Sequence, residues 1–329
     1  MRTAEILEID TDTAARIQEA ALGKAETGGY ILSSGTAIID AIDSAREIGG
    51  LFPSQIVQRA EEFRRQGNDV GALVLRGLAP PLDMQNSRPD KDGNLPNTHA
   101  ANASGLIALA ATCLVGDPFT YRTNPRGWLP TFISPITPME QGASPTAQGL
   151  VRSADHIGWH TEAGTAQMAN RIEFLSLYCV NAQANAPTNI VPGDAIARRL
   201  ELKDQVAMRE HQFMVSDAIV PDSYANLRPL IADTPRGAAI TYSSWYAHEE
   251  KTRQDGYTLA QLSKLGEAVV QAAKTDMVTH DYQTGDVLLI DNNGPHGRDK
   301  FEPDWPNPRY LLRTFIGRRG QHAIVNPTD

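Results

Sequence analysis

Cysteine is nearly missing: Cys113 and Cys179 are the only two in 329 residues. That excludes a disulfide framework and a thiolate cluster for zinc, and because each sits inside an apolar segment, both are expected to be small buried hydrophobes in a reduced protein. A basic surplus is missing too. The formal net charge is -9, which speaks against nucleic acid and anionic membranes as partners and leaves a small molecule as the expected one. Long apolar runs are absent. The longest charge-free apolar stretch, "ASGLIALAATCLVG" from Ala103 to Gly116, is too short to span a membrane, and its Ile107, Ala110 or Ala111, and Leu114 recur at helical spacing. A buried helix is expected there. After Met1 and Arg2, "TAEILEID" carries Glu5, Glu8 and Asp10 where an export signal requires an unbroken apolar stretch, so the expected location is cytoplasmic. No repeat and no low-complexity tract stands out.

What is present, 41% hydrophobic residues, suffices for one large core, and residues 1–329 are expected to form a single domain with a helical N-terminal part over about 1–120. In that part "SAREIGGLFPSQIVQRAEEFRRQG" has helical periodicity and "VGALVLRGL" reads as a short strand, while residues 80–98, rich in Pro, Asp, Asn and Gly, read as a loop. Later come short β-type runs: "TFISPI", "EFLSLYCV", "HQFMVSDAIV", "AAITYSSWY", "DVLLID" and "YLLRTFIG". Their spacing, separated by turns, favours a sandwich or barrel. Among these later segments only "TLAQLSKLGEAVVQAAKTD" reads as a helix, an insertion over about 257–276 with Leu259, Leu262, Leu265, Val269 and Ala272 on one face.

The stretch "IGWHTEAG" places His160 and Glu162 two apart. On a strand, both point to one face with Cα atoms about 6.5 to 7 Å apart, a spacing that suits two ligands of one ion. A third candidate is His296, which follows the strand and turn of "GDVLLIDNNGPHGRDKF". Two imidazoles and a carboxylate leave coordination positions open and suit non-haem Fe(II). Zinc hydrolysis is the competing reading, although the helical H-E-x-x-H pattern it usually uses is absent. In "NPRYLLRTF", Arg309 and Arg313 lie four apart and share a strand face. Buried arginines require anionic or strongly polar partners.

The joint pattern H-T-E, then D-N-x3-H-G-R, then R-x3-R resembles the Fe(II)/2-oxoglutarate oxygenases of the taurine dioxygenase superfamily, clavaminate synthase-like branch. The likeness runs from about "VGALVLRGL" to the C-terminus. It implies a mainly β fold with added helices, a distorted double-stranded β-helix of jelly-roll type. It also implies Fe(II), 2-oxoglutarate as co-substrate and O2, with His160, Glu162 and His296 as iron ligands. Arg309 would then meet the distal carboxylate of 2-oxoglutarate, assisted by Thr188 in "APTNIVP", and Arg313 would meet an acidic group of the substrate. The implied reaction is hydroxylation of an unactivated C–H in antibiotic-type metabolism, coupled to conversion of 2-oxoglutarate to succinate and CO2.

Departures from the family bear on the substrate. Where arginine and asparagine hydroxylases carry a glutamine, this chain has Thr131. Where arginine enzymes carry aspartates, it has "ITYSSWYAH", in which Ser243, Ser244 and Trp245 offer no carboxylate. A neutral amino-acid-derived substrate is therefore expected, with a free amino acid or a cyclic dipeptide as alternatives. "ASPTAQGLVRSADH" reads as part of a lid from which Gln148 and Ser153 reach the substrate. Trp159 alternates away from His160 and is expected in the core, and His99, His211, His248, His280 and His322 read as ordinary histidines. The alternative from another class is a metal-dependent hydrolase or a metal-binding jelly roll without redox chemistry.

Overall fold

Helices outnumber strands in the first part of the chain. β1 (Glu5–Glu8), α1 (Thr11–Gly28), α2 (Ala37–Gly49), α3 (Ser54–Gln66), β2 (Ala72–Arg76), the single turn α4 (Leu82–Gln85), α5 (His99–Thr112), β3 (Asp117–Tyr121) and β4 (Ser134–Ile136) precede β5 (Ile157–His160). There follow β6 (Phe174–Asn181), β7 (Thr188–Ile190), α6 (Gly193–Ala197), α7 (Leu202–Glu210), β8 (Phe213–Val215), β9 (Asn226–Arg228), β10 (Ile231–Thr234) and β11 (Gly237–Ile240). The last elements are α8 (Gly256–Asp276), β12 (Val278–His280), β13 (Val287–Asp291), β14 (His296–Arg298), β15 (Tyr310–Gly317) and β16 (Ile324–Val325). This computed structural model describes residues 2–28, 37–85, 87–90, 93–121, 132–139, 154–163, 166–215, 226–244 and 256–325.

Two sheets organise the chain. The larger has the order β1-β2-β13-β6-β15-β3-β16, with β4 also paired to β15; the smaller is β12-β7-β14-β5. Strands β13 and β6 are buried along almost their whole length because both faces are covered, and β15 is buried except at Arg313 and Phe315. Val287 and Leu289 of β13, Tyr178 and Val180 of β6, and Tyr310 and Leu312 of β15 join one core with α1, α2, α3 and α5. The alternating Leu288 and Ile290, Leu175 and Leu177, and Leu311 join a second core with Ile190 of β7 and Val278 of β12. The site residues lie in the space between the two sheets, beside that second core.

Helix α5 confirms the expected buried helix: every residue from Ala100 to Thr112 is buried, and the Thr98 side chain caps it by accepting from Ala101 N at 3.2 Å. The "SAREIGGLFPSQ" periodicity resolves into two helices, since Gly49, Gly50 and Pro53 break it between α2 and α3. Between residues 80 and 98 the described residues outside α4 form no helix or strand. The inserted helix is α8, which buries Leu262, Leu265, Val269 and Ala272 as expected, with Thr258 in place of Leu259.

Two expectations need correction. The described residues hold more helix than strand, so the fold is mixed α/β with a large sheet content rather than mainly β. α8 is also not alone among the later helices. The sequence reading missed α6 and α7 because α6 has one turn and α7 buries only Asp204 and Met208, too narrow an apolar face to register as a period. Among the described residues no helix is long and apolar enough to cross a membrane.

Candidate metal and co-substrate site

The smaller sheet brings the two histidines together. His296 of β14 and His160 of β5 are direct cross-strand partners, and their ring centroids lie 4.4 Å apart. β5 ends at His160, so Glu162 reaches the site from the turn that follows rather than from the strand. Its Oε1 lies 3.9 Å from His160 Nε2 and 3.8 Å from His296 Nε2. One ligand atom from each of the three falls within 4.8 Å of the others.

The donor set fits a divalent first-row metal. His160 Nδ1 stands 2.9 Å from the Gly158 carbonyl, which only accepts, so Nδ1 carries the proton and Nε2 keeps its lone pair for a metal. Burial pushes His296 down to about 3, and the neighbouring His160 adds to this, which favours the neutral imidazole that ligation requires.

The turn between β13 and β14 holds Glu162 in place. The buried Asn292 side chain accepts from Glu162 N at 2.9 Å and donates to Glu162 O at 3.2 Å and Ile172 O at 2.9 Å. Gly294 closes this turn, where a Cβ would come within 2.0 Å of the Val191 carbonyl. Around it, Arg236 Nε donates to Asp291 Oδ2 at 3.0 Å and Nη2 to Glu173, while Arg171 Nη2 donates to Asn293 Oδ1 at 2.8 Å. The D-N part of the motif therefore carries a structural task that its spacing did not disclose.

Across the space between the sheets, Arg309 and Arg313 point inward as their even separation requires. Arg309 lies just before β15 and is 4% exposed. Its Nη2 donates to Thr188 Oγ1 at 3.1 Å, its Nε has no partner, and no carboxylate among the described residues pairs with it. A buried guanidinium in that condition fits a ligand carboxylate. Arg313 instead donates from Nη1 to Glu162 Oε1 at 3.2 Å, linking the expected substrate arginine to the candidate metal cluster.

Further residues escaped the sequence reading. Tyr282 hydrogen-bonds Thr188 through its hydroxyl at 2.9 Å and lies under Arg309, whose guanidinium carbon is 5.0 Å from the ring centroid. His280, read as ordinary, packs edge-on against Tyr282 and stands 3.1 Å from buried Asp286. Arg298 of the H-G-R motif donates to the carbonyls of Ala154, Asp155 and Asp299, and burial, with Arg309 nearby, pushes it down to about 10. Tyr282 and Arg298 had no spacing signal, because their partners Thr188, Ala154 and Asp155 are distant in sequence.

Ser244 lies against β5: its N donates to Trp159 O at 2.8 Å, and a Cβ on Gly158 would come within 2.2 Å of its Oγ. Ser243 bridges His160. Trp159 is half-buried against the core of α8 and β11, as its alternation implied. Thr131, Gln148, Ser153 and Trp245 lie outside the described residues, as does most of the segment read as a lid.

No family model matches the chain. It is 27% identical over 286 residues to an L-lysine 3-hydroxylase of Catenulispora acidiphila, covering 83% of this chain and 75% of the relative. It is 24% identical over 286 residues to an L-asparagine oxygenase of Streptomyces coelicolor, covering 84% and 79%. Among solved structures, asparagine oxygenase superposes with a TM-score of 0.74 at 19% identity over 98% of both chains. The non-haem iron oxygenase OrfP, in complex with Fe, succinate and (3S)-hydroxy-L-Arg, superposes with a TM-score of 0.74 at 18% identity over 98% of this chain and 99% of that one. These likenesses establish the fold, and the relatives, a hydroxylase and an oxygenase by name, bear out the oxygenase resemblance drawn from H-T-E, D-N-x3-H-G-R and R-x3-R.

Proposed function

We propose that this chain is an Fe(II)/2-oxoglutarate-dependent oxygenase of the taurine dioxygenase superfamily, clavaminate synthase-like branch. It hydroxylates an unactivated C–H of a small amino-acid-derived substrate in specialised, antibiotic-type metabolism, as a cytoplasmic single-domain protein on a distorted jelly-roll scaffold. The observation that carries this reading is the meeting of His160, Glu162 and His296 within 4.8 Å, facing a buried arginine that has no carboxylate partner among the described residues. The named activities of the relatives support it: hydroxylation of lysine and oxygenation of asparagine are chemistry on free amino acids.

In this reading His160 and His296 hold Fe(II) through imidazole nitrogens and Glu162 through its carboxylate. The bound iron supplies the O2-dependent conversion of 2-oxoglutarate to succinate and CO2 that is coupled to C–H oxidation. Arg309 and Thr188 bind the distal carboxylate of 2-oxoglutarate and so orient it. Arg313 takes the acidic group of the substrate, and Ser244 lines the same space beside β5. No protein group needs to move a proton in the C–H step, so positioning by these side chains decides which C–H reacts. A metal hydrolase has no comparable use for the pairing of Arg309 with Thr188.

Anaerobic titration of the protein with Fe(II) and then 2-oxoglutarate tests the reading. The expected result is a weak visible charge-transfer band that saturates with 2-oxoglutarate, and succinate release once O2 is admitted. His160→Ala and His296→Ala should abolish both while retaining the folded circular-dichroism spectrum. Near wild-type succinate formation by either variant would remove the proposed ligand set.

A further inference from the structure

We infer that Tyr282 is a positioning residue for the co-substrate: its hydroxyl, with Thr188 and Arg309, completes the cradle for the distal carboxylate of 2-oxoglutarate. The inference rests on the proposed reading of Arg309 and Thr188 and adds a third group to it. Proton counting at the two hydroxyls supports it. Thr188 Oγ1 accepts from Arg309 Nη2 at 3.1 Å and pairs with the Tyr282 hydroxyl at 2.9 Å. Two hydroxyls share one hydrogen bond, so one of their two protons is used between them and the other is free. In the inferred arrangement Thr188 donates to the Tyr282 oxygen, and Tyr282 keeps the free proton next to the guanidinium, where a carboxylate oxygen would accept it.

The surroundings hold that donor in place. Burial pushes the Tyr282 hydroxyl up to about 12, against the pull of Arg309 and Thr188, so it stays protonated at neutral pH. The ring is fixed from two sides, by Arg309 over its face and by the edge of His280, with ring centroids 4.7 Å apart. The loop that carries Tyr282 is anchored by Asp286, which accepts from Gln283 N at 2.9 Å and from Arg76 Nε and Nη2 at 2.9 and 3.0 Å. β12 places His280 directly opposite Thr188 on β7, so strand register brings the anchor and the hydroxyl pair to one place.

The test compares Tyr282→Phe, Thr188→Val, the double variant and Arg309→Ala in the Fe(II)-loaded protein without O2. The dissociation constant of 2-oxoglutarate is read by calorimetry, and Mn(II) binding and the urea midpoint serve as controls. Tyr282→Phe should weaken 2-oxoglutarate about tenfold, the loss of one hydrogen bond to a charged group, with Mn(II) binding unchanged. Because the hydroxyls act as one relay, the double variant should lose about as much as the worse single one. Unchanged 2-oxoglutarate affinity in Tyr282→Phe, with a large loss in Arg309→Ala, overturns the inference and leaves the proposed function standing. Equal loss of Mn(II) and 2-oxoglutarate binding in Tyr282→Phe also overturns it, since that marks a packing role. Unchanged affinity in Arg309→Ala overturns the co-substrate assignment itself, and the inference with it.

Discussion

Arg313 Nη1 stands 3.2 Å from Glu162 Oε1, the same oxygen that lies within 4 Å of both histidines, so a cation from β15 and a metal would share one carboxylate atom. The pair is partly exposed, with the Arg313 side chain at 24%, so its Coulombic effect is screened relative to a dry pair. Arg313→Gln removes the positive charge next to the metal position and should strengthen Mn(II) binding by about tenfold, equivalent to about 1.4 kcal/mol. Calorimetric titration checks this. Weaker Mn(II) binding in the variant would mean that Arg313 serves to hold Glu162 in place.

The pieces of this site differ in how far they show in the sequence. His160, Glu162 and His296 were legible because spacing on a strand and a strand-end histidine are local facts. Arg309 and Arg313 were legible because an even separation fixes a shared face. Tyr282, His280 and Asn292 were not, because each acquires its role from a partner across a sheet or turn: Asn292 serves Glu162, 130 residues away. The two sheets were foreshadowed by short apolar runs, but β1, β3 and β7 are too short or too mixed in composition to stand out. In β1 only alternate residues are half-buried, and β3 begins with Asp117 and Pro118.

Asn292 gives a second test. Its side chain is 3% exposed and satisfies three backbone groups, two of them on Glu162. Asn292→Ala leaves those groups without their partner, and an unsatisfied buried polar group costs about 1–3 kcal/mol. The urea midpoint should fall accordingly, and Mn(II) affinity should fall with it because Glu162 loses its tether. Asn292→Asp should not rescue either property, since a carboxylate cannot donate to the carbonyls of Ile172 and Glu162. Full rescue by Asp would show that only the bond from Glu162 N matters.

A third prediction concerns acid stability. Burial opposes ionisation of Asp286, but His280 and the two-pronged Arg76 outweigh it and hold the group down at about 2. A carboxylate whose folded pKa lies below its unfolded value contributes stability above the unfolded pKa and loses it as pH falls through the folded one. The contribution should therefore disappear between about pH 4 and about pH 2, and is on the order of 2 kcal/mol. Asp286→Asn should be less stable at pH 7, with a shallower loss of stability over that window. Parallel acid-unfolding curves for the variant and the parent would show that Asp286 does not contribute.

The final prediction concerns substrate charge. Ser243 pairs with His160 in a β-bridge and Ser244 N donates to Trp159 O, so the segment aligned with the carboxylate-bearing one of arginine hydroxylases lies along β5 and carries two serines instead. The carboxylate there among the described residues, Glu162, is already engaged by Arg313. A guanidinium buried without a carboxylate partner is strongly unfavourable, whereas a neutral aliphatic side chain next to hydroxyls carries no such penalty. Free L-arginine should therefore be a poor substrate, and a neutral amino acid or amino-acid derivative a better one. Arg313 would meet its carboxylate, or its carbonyl oxygen where no carboxylate is present. A panel scored by succinate release and product mass decides the matter: efficient hydroxylation of arginine, with neutral compounds inert, would show that the guanidinium finds its carboxylate elsewhere and that Ser243 and Ser244 do not set the specificity.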